Sequence, residues 1–190
     1  FRQLTEEEQK KSLQHYLALC SYEDTLFGEL LGELEKRNLL ESTIVLYVSD
    51  HGDYAGAHGL WTKGLPCFEE AYHICSVMGY GGIKNKNAAV NEFVSLADFA
   101  PTFLELAGVE MRRKLAGRSL VPFLSGDVPQ NWRKEMYTQT NGNELYGIQR
   151  AVFDDKFKLV YNGFDFDELY DLEKDPNECH NLASDPAYGE

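Results

Sequence analysis

The most constraining stretch of this chain is Thr43-Ile44-Val45-Leu46-Tyr47-Val48, an almost unbroken apolar, β-branched run that stops at Ser49-Asp50-His51-Gly52. A strand with one wet face alternates apolar and polar residues, so a continuous run predicts a strand buried on both faces. Such strands belong to α/β folds built on a mostly parallel sheet, whose ligands gather beyond the carboxyl ends of the strands. Asp50 and His51 stand at that end, where the chain leaves the ladder and both side chains can turn toward one ion. A carboxylate oxygen and an imidazole nitrogen fit part of an oxygen-rich Ca²⁺ shell, and also suit Mn²⁺ or Zn²⁺. The plain alternative has Asp50 capping the next turn and His51 as a satisfied core histidine.

The flanking sequence supports α/β organisation. Thr5 and Glu8 have capping-box spacing, and Leu13, Leu17, Cys20, Phe27, Leu31 and Leu34 form one apolar face of a helix ending near Arg37-Asn38. A Gly-punctuated loop follows Gly52, then a second short strand over Ile74 to Met78 and turn signals at 79–82 and 84–87. Phe93 to Leu106 has helical spacing, with Pro101 in its first turn and Gly108 as its stop. Beyond Pro129 the pattern changes to short strand-like runs, Met136–Thr140, Ile148–Phe153, Phe157–Tyr161 and Glu168–Tyr170. Turn signals separate them at 141–143, 154–155 and 162–163. The reading is an α/β part over 1–129 and a small antiparallel C-terminal subdomain over 130–190.

Charge removes some function classes. The 18 Lys+Arg against 31 Asp+Glu give a formal net charge of −13, without the basic footprint that nucleic acid requires. From Gly163 to Glu190 nine acids face one base, Lys174, but the interleaved Phe164, Phe166, Leu169, Tyr170 and Leu172 predict a folded segment. No apolar run approaches the roughly 20 residues of a membrane-spanning helix. The chain opens on Phe1 and an acidic stretch without a signal-peptide pattern, which reads as a cut point. Cys20, Cys67, Cys75 and Cys179 form no C-x-x-C pair. Cys67 and Cys75 can bridge in an oxidising compartment, and four scattered cysteines fit reduced core positions equally well. Periplasm, cell exterior and cytoplasm all stay open.

The loop from Asp50-His51-Gly52-Asp53 through Gly56-Ala57-His58-Gly59-Leu60-Trp61 to Lys63-Gly64 resembles the distal metal-binding motif of the sulfatase family, within the alkaline-phosphatase-like superfamily. Phe68-Glu69-Glu70-Ala71-Tyr72, Asn91 to Asp98, Pro101-Thr102, Leu106-Ala107-Gly108 and Gly117-Arg118-Ser119-Leu120 follow in family order. Leu169 to Pro176 with Asn181-Leu182 is similar to sulfatase C-termini. Most of these matches are packing or turn positions, with the Arg118 guanidinium expected on backbone carbonyls.

The resemblance implies a sulfuric ester hydrolase with a formylglycine nucleophile and a divalent metal, usually Ca²⁺. By resemblance Asp50 and His51 are metal ligands, and Lys63 holds a sulfate oxygen and the departing ester oxygen of a sulfate-ester substrate. A solvated loop lysine is the alternative for Lys63. His58 is a candidate proton donor to the leaving group, with a packing role as its alternative, and Asp53 reads as surface. None of the four cysteines lies in a Cys-x-Pro-Ser-Arg-type motif, and the family's first metal-binding Asp pair is missing. The chain thus reads as the C-terminal half of a sulfatase, inactive alone, with its formylglycine and its partner surface in a missing N-terminal half. Two other readings stay open: a phosphodiesterase or phosphonate monoester hydrolase of the same superfamily, and a non-catalytic protein keeping the fold for binding or assembly.

Overall fold

The computed structural model describes residues 4–189 except 80, 82, 85, 111 and 143–146. Of the expected turn signals, Tyr80, Gly82, Asn85 and Asn143 lie outside the described residues.

The first helix, α1 (Glu6–Lys36), begins at the capping box: the Glu8 N–H donates to the Thr5 hydroxyl at 3.3 Å, and the Thr5 N–H donates to Glu8 Oε2 at 2.8 Å. It buries none of its residues; Leu17, Leu19, Tyr22 and Leu30 are exposed. Phe27 packs on Tyr47, ring centroids 4.8 Å apart. Tyr47 belongs to β1 (Val45–Val48), which pairs with β2 (Ser76–Gly79). Phe27 and Leu31 of α1 line a cleft of 320 Å³ with Val45, Val77 and Met78 of that sheet.

The mixed α/β architecture is as expected, but two details differ. First, β1 and β2 run antiparallel, Val45 opposite Gly79 and Val48 opposite Ser76. Their connection carries a 3-10 turn (Ala57–Gly59) and the one-turn helix α2 (Glu69–Tyr72), not the long crossover helix a parallel pair needs. Second, β1 is half-buried, because two strands and one loosely packed helix cannot cover both faces; Val77 stays 65% exposed.

The expected helix over 93–106 is shorter at its start. Ser95 caps a 3-10 turn (Leu96–Asp98) that runs into α3 (Phe99–Leu106), with Asp98 Oδ2 accepting the Ser95 N–H at 2.8 Å. Its end is as read. Gly108 has φ +65°, the Gly108 N–H donates to Glu105 O at 3.0 Å and the Val109 N–H to Leu104 O at 2.9 Å, a Schellman closure.

A second core joins α3 to the chain beyond it. Phe99, Leu120, Phe123 of α4 (Val121–Ser125) and Trp132 pack together, Phe123 edge-on to Trp132. Beside them Asp98, fully buried, accepts Arg133 Nη1 and Nη2 at 2.6 and 2.7 Å and the Arg118 N–H at 2.8 Å. The Arg118 guanidinium donates to the Asn131 carbonyl at 2.8 Å, as the sequence suggests.

The C-terminal sheet is an antiparallel meander in the order β3 (Met136–Thr140), β4 (Gln149–Phe153), β5 (Phe157–Asn162) and β6 (Glu168–Asp171). Asp154 Oδ1 closes the β4–β5 turn by accepting the N–H groups of Lys156 and Phe157 at 2.8 and 2.7 Å, which holds its carboxyl below the usual range. Ala151 and Val160 face inward onto Cys67, while Tyr137, Leu159 and Tyr161 point to solvent, so the strands alternate as one-sided strands do. The acidic tail is folded: Asn181 Oδ1 accepts the Leu169 N–H at 3.0 Å, and the Leu182 N–H donates to Leu169 O at 2.8 Å. All four cysteines are free, and Cys67 is buried against Ala151 and Val160 rather than bridged to Cys75.

Candidate active site

The loop after β1 is held by three backbone devices. Its entry is tied down where the Gly52 N–H donates to Ala71 O at 2.9 Å, so close to α2 that any β-carbon on Gly52 would overlap the Glu70 carbonyl. Its body folds on itself: the Tyr54 N–H donates to Thr62 O at 2.9 Å and the Gly56 N–H to Leu60 O at 2.8 Å. Its exit is fixed by Tyr54, which is buried and donates its hydroxyl to Pro66 O at 2.6 Å. Burial, followed by Cys67 and Glu70 nearby, pushes the Tyr54 phenol up to about 12. Closing so tight a loop takes left-handed backbone at Ala55, Gly56, His58, Gly59 and Thr62. Such conformations in non-glycine residues cost about 1–3 kcal/mol each and persist where the surroundings over-determine them.

Asp50 and His51 are brought together. His51 Nε2 stands 3.6 Å from Asp50 Oδ1, and His51 Nδ1 lies 2.7 Å from the Gly52 carbonyl oxygen. A carbonyl only accepts, so Nδ1 carries a proton, which leaves Nε2, the nitrogen that faces the carboxylate, as the one that can bind a metal. Metal-binding histidines use this arrangement, with the second ring nitrogen donating to a carbonyl or carboxylate. Two donors on one ion stand about 3 to 3.5 Å apart when each bond is near 2.0–2.6 Å, close to the separation observed. The pair therefore fits a divalent cation as part of its shell. Among the described residues no group of three or more His, Cys, Asp and Glu side chains converges there. Asp50 is 81% exposed and free to meet further donors.

Lys63 and His58 are not joined to that pair. Lys63 follows Thr62 in the loop, its side chain exposed and without a partner among the described residues. The His58 ring instead lies flat on Phe68, centroids 3.7 Å apart, and its Nε2 is 3.5 Å from Glu70 Oε2. Asp53 accepts the Ala55 N–H at 2.8 Å and serves the turn.

The sequence reading gives Phe68 and Glu70 no role beyond the family pattern and does not single out Glu178. Glu178 is buried, paired with Lys158 Nζ at 2.6 Å, and its Oε2 accepts the Glu69 N–H at 2.7 Å, so the C-terminal tail holds α2 from behind. An acid and a lysine 20 residues apart carry no local signal. Only the burial of Lys158 on the inner face of β5, legible from strand alternation, hinted that a counter-charge was needed.

Comparison with known proteins places the chain in a family. Residues 1–109 match the sulfatase family model, and residues 56–190 match that of the N-sulphoglucosamine sulphohydrolase C-terminal region. N-acetylglucosamine-6-O-sulfatase of Bacteroides thetaiotaomicron is 34% identical over 93% of this chain and 33% of its own. Among solved structures, a 2-O GAG sulfatase superposes with a TM-score of 0.90 at 26% identity, over 98% of this chain and 41% of its own. The phosphonate monoester hydrolase of Agrobacterium radiobacter does so with a TM-score of 0.78 at 28% identity, over 87% of this chain and 36% of its own. The chain spans about a third of the length of the curated relatives it matches. With both family models matched over more than half its length, in the order the loop and tail motifs follow, this chain belongs to the sulfatase family.

Proposed function

We propose that this chain supplies the distal half of a sulfate monoester hydrolase site. The observation that carries the reading is the Asp50–His51 pair, 3.6 Å apart with the His51 tautomer fixed by Gly52 O, in a chain of this family. Asp50 Oδ1 and His51 Nε2 would hold the metal, Ca²⁺ foremost, with Mn²⁺ and Zn²⁺ compatible with the same donors. When bound, the ion would polarise the sulfate oxygens and offset charge on the attacking oxygen. Lys63 holds its ammonium on a sulfate oxygen and the departing ester oxygen, where charge builds in the transition state. His58 is the second candidate, a proton donor to the leaving group, in keeping with its place in the same loop.

Two donors fall short of the six to eight oxygens Ca²⁺ takes, so the rest of the shell and the formylglycine come from outside this chain. The uncovered apolar residues of α1 and the open outer edges of β1 and β2 support a further segment of the same protein packing there. The second reading, phosphonate monoester hydrolysis, is favoured by the likeness to the Agrobacterium radiobacter enzyme.

The test is turnover by a longer protein carrying this chain, offered an aryl sulfate and a phosphonate monoester. Sulfate turnover is expected to dominate, and Lys63→Ala to lower kcat/KM by about 100-fold or more. Faster phosphonate turnover would favour the second reading, and an unchanged kcat/KM would remove Lys63 from the site. The 190-residue chain alone is expected to turn over neither.

A further inference from the structure

His58 is held more tightly than an exposed loop tip warrants. Its backbone is in the left-handed region at φ 53°, yet its side chain is only 14% exposed, stacked on Phe68 with the ring planes 6° apart. The stack joins the two ends of a span from 58 to 68, and Lys63 stands at the midpoint of that span. Beyond the ring, Glu70 Oε2 is sealed from solvent and hydrogen-bonds to nothing among the described residues. Among those residues, His58 Nε2 stands 3.5 Å from it. A carboxylate oxygen out of water without a donor is costly, and a ring nitrogen facing it offsets part of that cost. Phe68 in turn meets Tyr54 edge-on and tilts against Tyr170. The flat stack of the imidazole on the phenyl ring adds a further packing contact.

We propose that His58 and Glu70 are a positioning pair for Lys63: the contact of the imidazole with the Glu70 carboxylate and its stack on Phe68 pin the loop to α2, which fixes the span that presents the lysine. The strain at residue 58 is then offset by the contacts it makes possible. The inference rests on the role given to Lys63 above, and it moves His58 from proton donor to loop anchor.

The test uses the longer protein, with Glu70→Gln as the isosteric variant, Glu70→Asp as the conservative one, and His58→Gln as an independent break. Two readouts are taken after melting curves confirm folding. One is tryptic nicking after Lys63, which should speed up severalfold in Glu70→Gln and His58→Gln and far less in Glu70→Asp. The other is kcat/KM for an aryl sulfate, which Glu70→Gln should lower about tenfold through misplacement of the lysine. Added to Lys63→Ala, the same substitution should change nothing further. Unchanged nicking, or an equal loss of kcat/KM in both backgrounds, would overturn the pair. If the unaltered protein fails to hydrolyse aryl sulfates, the sulfatase reading falls, while the nicking rates still decide whether the pair holds the loop.

Discussion

Gly52 donates its backbone N–H to the carbonyl oxygen of Ala71 at 2.9 Å, and this contact ties the loop that follows β1 to α2. No side chain fits at residue 52, since a β-carbon there would overlap Glu70 O. Gly52→Ala is therefore expected to destabilise the protein by about 1–3 kcal/mol through overpacking. Gly28 of α1 is the contrast, with open space around its α-carbon. Gly28→Ala should be neutral or stabilise by about 0.5–1 kcal/mol through helix propensity. Urea unfolding of both variants checks the pair of signs.

Lys158 and Glu178 meet at 2.6 Å with both side chains buried, and Glu178 also accepts the Glu69 N–H at the start of α2. Removing one charge leaves the other alone in the interior, so Lys158→Met should cost about 3–5 kcal/mol. Adding Glu178→Gln removes the stranded charge and keeps an acceptor for the Glu69 N–H. The double variant should then recover much of the loss. If it were as unstable as Lys158→Met, the pair would not be the source of the effect.

Tyr54 titrates near 12, above the ordinary phenol value of about 10. The folded state thus holds this proton more tightly than the unfolded state. Its stabilising contribution is fully present below about pH 10 and is lost as pH rises through about 12. Burial pushes Tyr72 and Tyr170 upward as well, so the decline should be steep. Unfolding free energy measured from about pH 8 to about pH 12 should fall less steeply in Tyr54→Phe than in the unaltered protein.

Much of this structure is legible in the sequence where the signal is local. Thr5 and Glu8 announce the start of α1, Asp154 closes the hairpin it predicts, and the four C-terminal strands fall within a residue of their alternating runs. Asp50 and His51 are visible because the strand before them ends so sharply. The direction of β2 is not, since a short apolar run looks the same in a parallel and an antiparallel ladder. The stack of His58 on Phe68 and the grip of Glu178 on α2 are equally hidden. Both depend on where the loop and the tail fold back, which no spacing rule records.

Calorimetric titration of Ca²⁺ into the chelator-treated longer protein tests most directly whether Asp50 and His51 hold the metal of this site. Asp50→Asn and His51→Ala are each expected to weaken Ca²⁺ binding at least about tenfold, or roughly 1.4 kcal/mol, without loss of folding. Binding as tight in both variants as in the unaltered protein would contradict their assignment as ligands.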